Sequence, residues 1–217
     1  MSYPSLRPCS VQAPVLLSKR GEWFHTGRPA VFLRFAGCNL WTGLEKDREG
    51  AICDWCDTDF VGTDGPNGGK YSAKQVAEII QGQWPENKKD KPYLVCTGGE
   101  PLLQMDDKFI SAIHDAGFEI GIETNGTKIP RQGIDWICVS PKANADFILK
   151  SGHELKIVFP QCGMNLRQHE GLDFNHFFIQ PINGPNQAGN IKLSEDFVAK
   201  HPQWKLSLQT HKILGIP

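Results

Sequence analysis

Tyr93-Leu94-Val95-Cys96-Thr97-Gly98-Gly99-Glu100-Pro101 is the stretch whose reading decides the fold. Tyr93 to Cys96 is an apolar run of strand length. The adjacent glycines that follow let a backbone approach a ligand closely. Glu100 offers a carboxylate to an ammonium group, and Pro101 suits the first turn of a helix. The run from Leu102 to Ala116 places Leu102, Phe109, Ile110 and Ile113 together, and Gly117 is a natural helix stop. The whole reads as strand, turn, helix.

The same pattern extends in both directions. Strand-length apolar runs recur at Ala30 to Phe35, Glu119 to Ile122, Trp136 to Val139, Leu155 to Phe159, Phe177 to Ile179 and Leu206 to Leu208. Most are too apolar to alternate, as in buried strands of a parallel sheet. A second helix is expected over Ser72 to Trp84, with Val76, Ile79, Ile80 and Trp84 on one face and Ser72 and Gln75 as a capping box. A third, weaker one runs from Leu193 to Lys200 and is ended by Pro202. Six or seven strands with about three helices imply an α/β fold with mostly parallel strands. That is too few helices for an eight-unit barrel at 217 residues. A shortened, open TIM-like partial barrel is expected, as a single domain over residues 1–217. Residues 40–52, rich in charge, and 61–71, rich in glycine, read as loops.

Bulk properties narrow the function. Hydrophobic residues make up 40% and charged residues 22%, with a formal net charge of −1. A near-neutral chain gives no electrostatic reason to expect nucleic acid or a membrane as partner. No apolar run approaches the ~20 residues that span a bilayer. The N-terminus lacks a secretory h-region, so a cytoplasmic location is expected. The seven cysteines make an odd number in a chain that is not small and secreted, which argues against a disulfide framework. Cys96 and Cys138 sit in apolar runs and read as core thiols. Cys9 and Cys162 read as core or surface residues.

Cys38, Cys53 and Cys56 crowd together. Cys38 follows a strand, and Cys53 and Cys56 form a CxxC. Thiolates suit iron–sulfur clusters and zinc alike. Three cysteines leave one position open for substrate on a four-iron cluster, whereas a structural zinc would need a fourth ligand such as His25 or Cys9. A redox pair is a further reading of the CxxC. The spacing alone does not separate zinc from a cluster.

With the Gly-Gly-Glu turn added, the chain resembles the radical S-adenosylmethionine superfamily, in which three cysteines hold a [4Fe–4S] cluster that cleaves S-adenosylmethionine reductively. The usual spacing there is CxxxCxxC; here residues 39–52 lie between the first two cysteines. That expanded loop is similar to one found in the 7-carboxy-7-deazaguanine synthase family. The matching stretches are Gly27 to Trp41, Cys56 to Phe60, Thr97 to Pro101, Ile122 to Gly126, Val139 to Lys142, Gln180-Pro181 and Gln209 to Lys212. The resemblance implies conversion of 6-carboxy-5,6,7,8-tetrahydropterin to 7-carboxy-7-deazaguanine with release of ammonia, on the route to queuosine. S-adenosylmethionine would be regenerated at each turnover. It also implies a reductant such as flavodoxin or ferredoxin, and a homodimer.

Residue roles follow from that resemblance. Cys38, Cys53 and Cys56 would hold the cluster, and the Thr58 hydroxyl would bind Mg²⁺. Trp55, Cys56, Asp57, Gly99 and Glu100 would meet S-adenosylmethionine. Ser140, Pro141 and Lys142 would contact its ribose and carboxylate, and Gln180, Pro181, Ile182 and Asn183 its adenine. The pterin would be held by Lys19, Arg20, Gly21, Arg34, Thr97, Glu123 and the terminal carboxylate of Pro217. Competing readings of the same residues are an internal salt bridge at Arg34, turn capping at Thr58 and a frayed tail at Pro217. One departure stands out: Arg20-Gly21-Glu22-Trp23 occupies the place of a QGEG-type sequence. Other functions to be separated are another radical enzyme, such as a glycyl-radical activase, and a zinc-stabilised binding module.

Overall fold

A computed structural model of the chain describes residues 9–18, 23–65, 67–85 and 89–209, with the backbone alone for 9–18 and 23. Among the described residues nine strands form one sheet. In chain order they are β1 (Cys9–Ser18), β2 (Ala30–Phe35), β3 (Gly69–Tyr71), β4 (Tyr93–Gly98), β5 (Glu119–Thr124), β6 (Trp136–Val139), β7 (Ser151–Phe159), β8 (Asp173–Pro181) and β9 (Trp204–Leu206). The helices are α1 (Ala73–Gln83), α2 (Asp107–Asp115) and α3 (Gln187–Lys200). The spatial order is β3-β1-β2-β4-β5-β6-β7-β8-β9. From β2 to β9 every pairing is parallel; β1 runs antiparallel to both β2 and β3. The sheet stays open, so the partial barrel is observed rather than a closed one.

The strands do alternate, contrary to the sequence expectation. Val31, Leu33, Phe35, Leu94, Cys96, Ile120 and Ile122 face α1 and α2 in one buried cluster. Val139, Leu155, Ile157, Phe177 and Ile179 form a second cluster, against which Phe197 and Val198 of α3 pack. Burying each such side chain is worth roughly 1.5–3 kcal/mol, which fixes the register. The intervening residues line the concave face. Many of those, such as Phe32, Tyr93 and Val95, are also apolar, and this hides the period of two. Cys96 and Cys138 are buried, as expected of core thiols.

The capping box predicted at Ser72 and Gln75 is present and starts α1. The single helix expected from Leu102 to Ala116 is divided. Glu100 caps a short 3-10 turn, Pro101–Leu103, and Asp106 then takes an extended backbone and caps α2. Asp106 is a stronger N-cap than any residue in a continuous helix tolerates. α3 starts at Gln187, earlier than expected, without a side-chain cap. Strands β1 and β3 were not expected. β1 carries Pro14 inside a register shift between Ala13 and Leu16, where no ladder hydrogen bond is required of it.

Candidate active site

The parallel strands deliver their C-terminal ends to one rim, where ligands bind in open α/β sheets. At that rim the turn after β4 packs directly on the turn after β2. Gly99 N–H donates to Phe35 O (3.1 Å) and Glu100 N–H to Gly37 O (2.9 Å). A Cβ on Gly99 would stand 1.9 Å from Gly37 O, and one on Gly98, whose φ is +129°, would stand 2.2 Å from Phe35 O. The paired glycines are therefore required by the backbone leading into Cys38, in addition to any ligand.

Glu100 departs from its expected place. It is completely buried and does not line the cavity. Its carboxylate accepts from Leu102 N–H (3.0 Å), the Thr124 hydroxyl (2.8 Å) and Asn125 N–H (2.7 Å). It ties the β4 turn to the end of β5. Burial pushes its pKa up, and these hydrogen bonds oppose the rise. Two of these donors share Oε1 and one meets Oε2, so three of the carboxylate's roughly four acceptor positions are taken.

Cys38, Cys53 and Cys56 line one cavity of about 800 Å³, and all are free thiols. Leu40 N–H points at Cys38 Sγ (3.5 Å), and Asn125 Nδ2 lies 4.0 Å from it. The Cys53 thiol donates to Cys56, which holds Cys56 down at about 6 and pushes Cys53 up. His25, the alternative zinc ligand, sits on the 3-10 turn Trp23–His25 against Tyr93 and Trp136, and does not line the cavity of the three thiols. The Cys9 side chain lies outside the described residues. Among the described residues no three His, Cys, Asp or Glu side chains are arranged to hold one metal ion.

The long excursion between Cys38 and Cys53 closes on itself. Ile52 N–H donates to Leu40 O (3.1 Å) at its base. Trp41 is buried against Phe60, and Arg48 lies 4.1 Å above the Trp41 ring. The Arg48 guanidinium donates to Asp54 O (2.7 Å) and Cys56 O (3.1 Å). One cation thus ties the inserted loop to the CxxC.

Of the other expected residues, Trp55, Asp57, Thr58, Gly99, Ser140, Lys142 and Gln180 line the same cavity, as do Arg34, Thr97 and Glu123. Pro141, Ile182 and Asn183 do not line it, nor does Pro181, which is buried at the end of β8. Lys19, Arg20, Gly21 and Pro217 lie outside the described residues, so the departure at Arg20 is not described either. Arg34 makes no ion pair with a described residue. Lys142 donates to Ser140 O (2.6 Å) and Oγ (2.7 Å). Burial holds its pKa below the usual lysine range, while the three thiols pull the other way.

Asn125, expected with Glu123 at the cavity mouth, lines the cavity. The sequence reading missed two features. Asn125 also donates to Asn39 Oδ1 (3.0 Å) and accepts from Thr127; this network braces the residue after Cys38. Lys156 lines the cavity and pairs with Glu123 at 3.2 Å. Its signal was available: a lysine inside the apolar run Leu155 to Phe159.

An open parallel sheet whose rim gathers three thiols, a Gly-Gly turn and a polar cavity is an α/β enzyme fold that fits the radical S-adenosylmethionine class the sequence resembles. Among curated proteins, a 7-carboxy-7-deazaguanine synthase from Bradyrhizobium diazoefficiens is 54% identical over 203 residues, 93% of this chain and 96% of that protein. Another of that name, from Burkholderia multivorans, is 52% identical over 204 residues, 94% and 97% of the two chains. The chain therefore belongs to the 7-carboxy-7-deazaguanine synthase family, radical S-adenosylmethionine lyases of queuosine biosynthesis. A crystal structure of QueE from Escherichia coli shares the fold, with a TM-score of 0.66 at 22% identity over 92% of this chain and 93% of that one. No protein-family model matches the chain.

Proposed function

We propose that this chain converts 6-carboxy-5,6,7,8-tetrahydropterin to 7-carboxy-7-deazaguanine with loss of ammonia. The observation that carries the reading is the shared cavity, with Cys38, Cys53 and Cys56 beside Arg34, Thr97 and Glu123. Its volume, about 800 Å³, suits two small molecules held together. The donor set fits a [4Fe–4S] cluster: three soft, free thiols line one cavity. A zinc-stabilised module has no use for a polar cavity of this size. When bound, the cluster supplies an electron to S-adenosylmethionine.

The chain's own groups bind and orient. Arg34 matches the pterin carboxylate, which its guanidinium can grip with two hydrogen bonds. Glu123 accepts from the amino-pyrimidine edge, and Thr97 lies beside Arg34 in the register of β2 and β4. The Gly99 main chain, with Glu100 buried behind it, meets the methionine moiety. Trp55, Asp57, Ser140, Lys142 and Gln180 surround the nucleoside. Thr58 supplies one hard oxygen to Mg²⁺, which takes its remaining ligands from water and substrate. Lys19, Arg20, Gly21 and Pro217 complete the pterin site.

The protein acts as one domain, in keeping with nine strands in one sheet. Among the described residues no helix is long and apolar enough to cross a membrane, which supports a cytoplasmic enzyme. It forms a homodimer and takes electrons from a flavodoxin or ferredoxin. Anaerobic reconstitution followed by incubation with carboxytetrahydropterin, S-adenosylmethionine, reductant and Mg²⁺ tests the reading. The deazaguanine is the expected product. No product from protein with an intact cluster would discard the pterin substrate.

A further inference from the structure

Beside Cys38 three side chains close a ring that the roles above leave unused. Asn125 follows β5, is 6% exposed and lines the cavity. Its side-chain oxygen accepts from Thr127 N–H (3.0 Å) and from the Thr127 hydroxyl (2.7 Å). That hydroxyl accepts from Asn39 Nδ2 (2.8 Å), and Asn39 Oδ1 accepts from Asn125 Nδ2 (3.0 Å). A side-chain amide has two N–H groups and an oxygen with two lone pairs. Thr127 takes both lone pairs of Asn125, which fixes the end that carries nitrogen. Asn39 takes one of its two hydrogens. The second remains for Cys38 Sγ, 4.0 Å from Nδ2.

Resting on the cluster reading and not on the pterin, we propose that Asn125 is a positioning residue for the iron–sulfur cluster. Its amide donates to the Cys38 thiolate and makes the cluster easier to reduce by one electron. Negative charge on a ligating thiolate grows when a cluster gains an electron. A hydrogen bond to that sulfur stabilises the reduced form more than the oxidised one, and such bonds help to set cluster potentials. A donor already held in place needs no reorganisation when the charge arrives. The ring of Asn39, Asn125 and Thr127 provides that hold. Without it the amide would be free to turn toward the cavity.

Other donors to these thiols come from the cluster loop itself. Leu40 N–H lies 3.5 Å from Cys38 Sγ, and Thr58 N–H meets Cys56. Those groups move with the loop. Asn125 belongs to the sheet. Its backbone N–H donates to Glu100 Oε2 (2.7 Å), and the Thr124 hydroxyl before it donates to Glu100 Oε1 (2.8 Å). Glu100 is completely buried in the β4 turn. The amide therefore fixes Cys38 against the rigid scaffold and not merely against its own loop.

The test is redox potentiometry of the anaerobically reconstituted full chain, without S-adenosylmethionine or pterin. The EPR signal of the reduced cluster is the readout, with bound iron measured alongside. Wild type is compared with Asn125→Leu, which keeps the branched shape but has no N–H, and with Thr127→Val, which removes the hydroxyl that holds the amide. At a fixed potential the ratio of reduced to oxidised cluster should fall on the order of tenfold in Asn125→Leu, ~59 mV for one electron. In Thr127→Val it should fall by less. Electron–nuclear double resonance should show an exchangeable-proton coupling in wild type that Asn125→Leu loses. A mere brace would lower iron content and leave ratio and coupling unchanged in the cluster retained. Wild-type ratio and coupling in Asn125→Leu would overturn the proposal. If that variant holds no iron, a wild-type ratio in Thr127→Val would overturn it. A wild-type chain that takes up no iron would instead overturn the cluster reading.

Discussion

Gly99 has no room for a side chain, because its would-be Cβ lies 1.9 Å from Gly37 O. Gly99→Ala must push the Cys38 turn away from β4. A displacement near 1 Å at a catalytic centre costs on the order of a hundredfold in rate. Loss of most bound iron and of turnover is the expected outcome, read by metal analysis and product assay. Wild-type iron content in this variant would remove the structural role given to the turn. Glu154 gives a second prediction at this scale. Burial carries its folded carboxyl up to about 7 against an ordinary 4.5. Between those values the folded state keeps a proton that the unfolded chain releases, so stability falls as pH rises across that window. Glu154→Gln removes that slope. Its stability relative to wild type should grow by on the order of 2–3 kcal/mol between pH 4.5 and pH 8, measured by denaturant unfolding. At residue level the sequence showed Arg34 and Glu123 because charges stand out in apolar strands. Lys156 was missed although it stands in an apolar run, because its pairing with Glu123 depends on lateral register, which no spacing along the chain reveals. The hydrogen bonds that tie Glu100 to Leu102, Thr124 and Asn125 were not legible, because a motif gives a residue's identity and not its hydrogen-bond partners.

The inserted loop between Cys38 and Cys53 is held by Arg48, which joins Trp41 to the Asp54 and Cys56 carbonyls. Hydrogen bonds from a charged donor contribute about 1.5–3 kcal/mol. Arg48→Ala should therefore release iron to a chelator at least tenfold faster, while the loaded enzyme keeps most of its kcat. Equal release rates would show that the loop is held otherwise. α1 offers a control remote from the site. Ser72→Ala breaks its capping box and should cost about 1 kcal/mol, a fall in Tm of roughly 2–4 °C for a chain of this size. Elements with strong local signals were legible: β2, β6 and the start of α1 fall where the sequence places them. β1 escaped because its partners are distant and Pro14 interrupts it. The break at Asp106 escaped because a helical periodicity on either side masked a competing cap.

The molecule as a whole is a sheet with one face sealed by helices and the other left concave. Seven parallel strands carry their C-terminal ends to the same rim, and that convergence brings Cys38, Thr97, Glu123, Ser140 and Gln180 together from five separate segments. The open partial barrel was legible because too few helical patterns accompany the strands. The cavity's polar lining was less so, since apolar floor residues such as Phe32 and Val95 mask the alternation. The three cysteines, ambiguous between zinc and cluster by spacing, gain meaning from the cavity they share. The ratio of 7-carboxy-7-deazaguanine formed to S-adenosylmethionine consumed, by anaerobically reconstituted protein, tests that central claim most directly. Many products per S-adenosylmethionine, with only traces of 5′-deoxyadenosine, is the expected result. One 5′-deoxyadenosine per turnover, or a colourless protein carrying zinc and no iron, would contradict it.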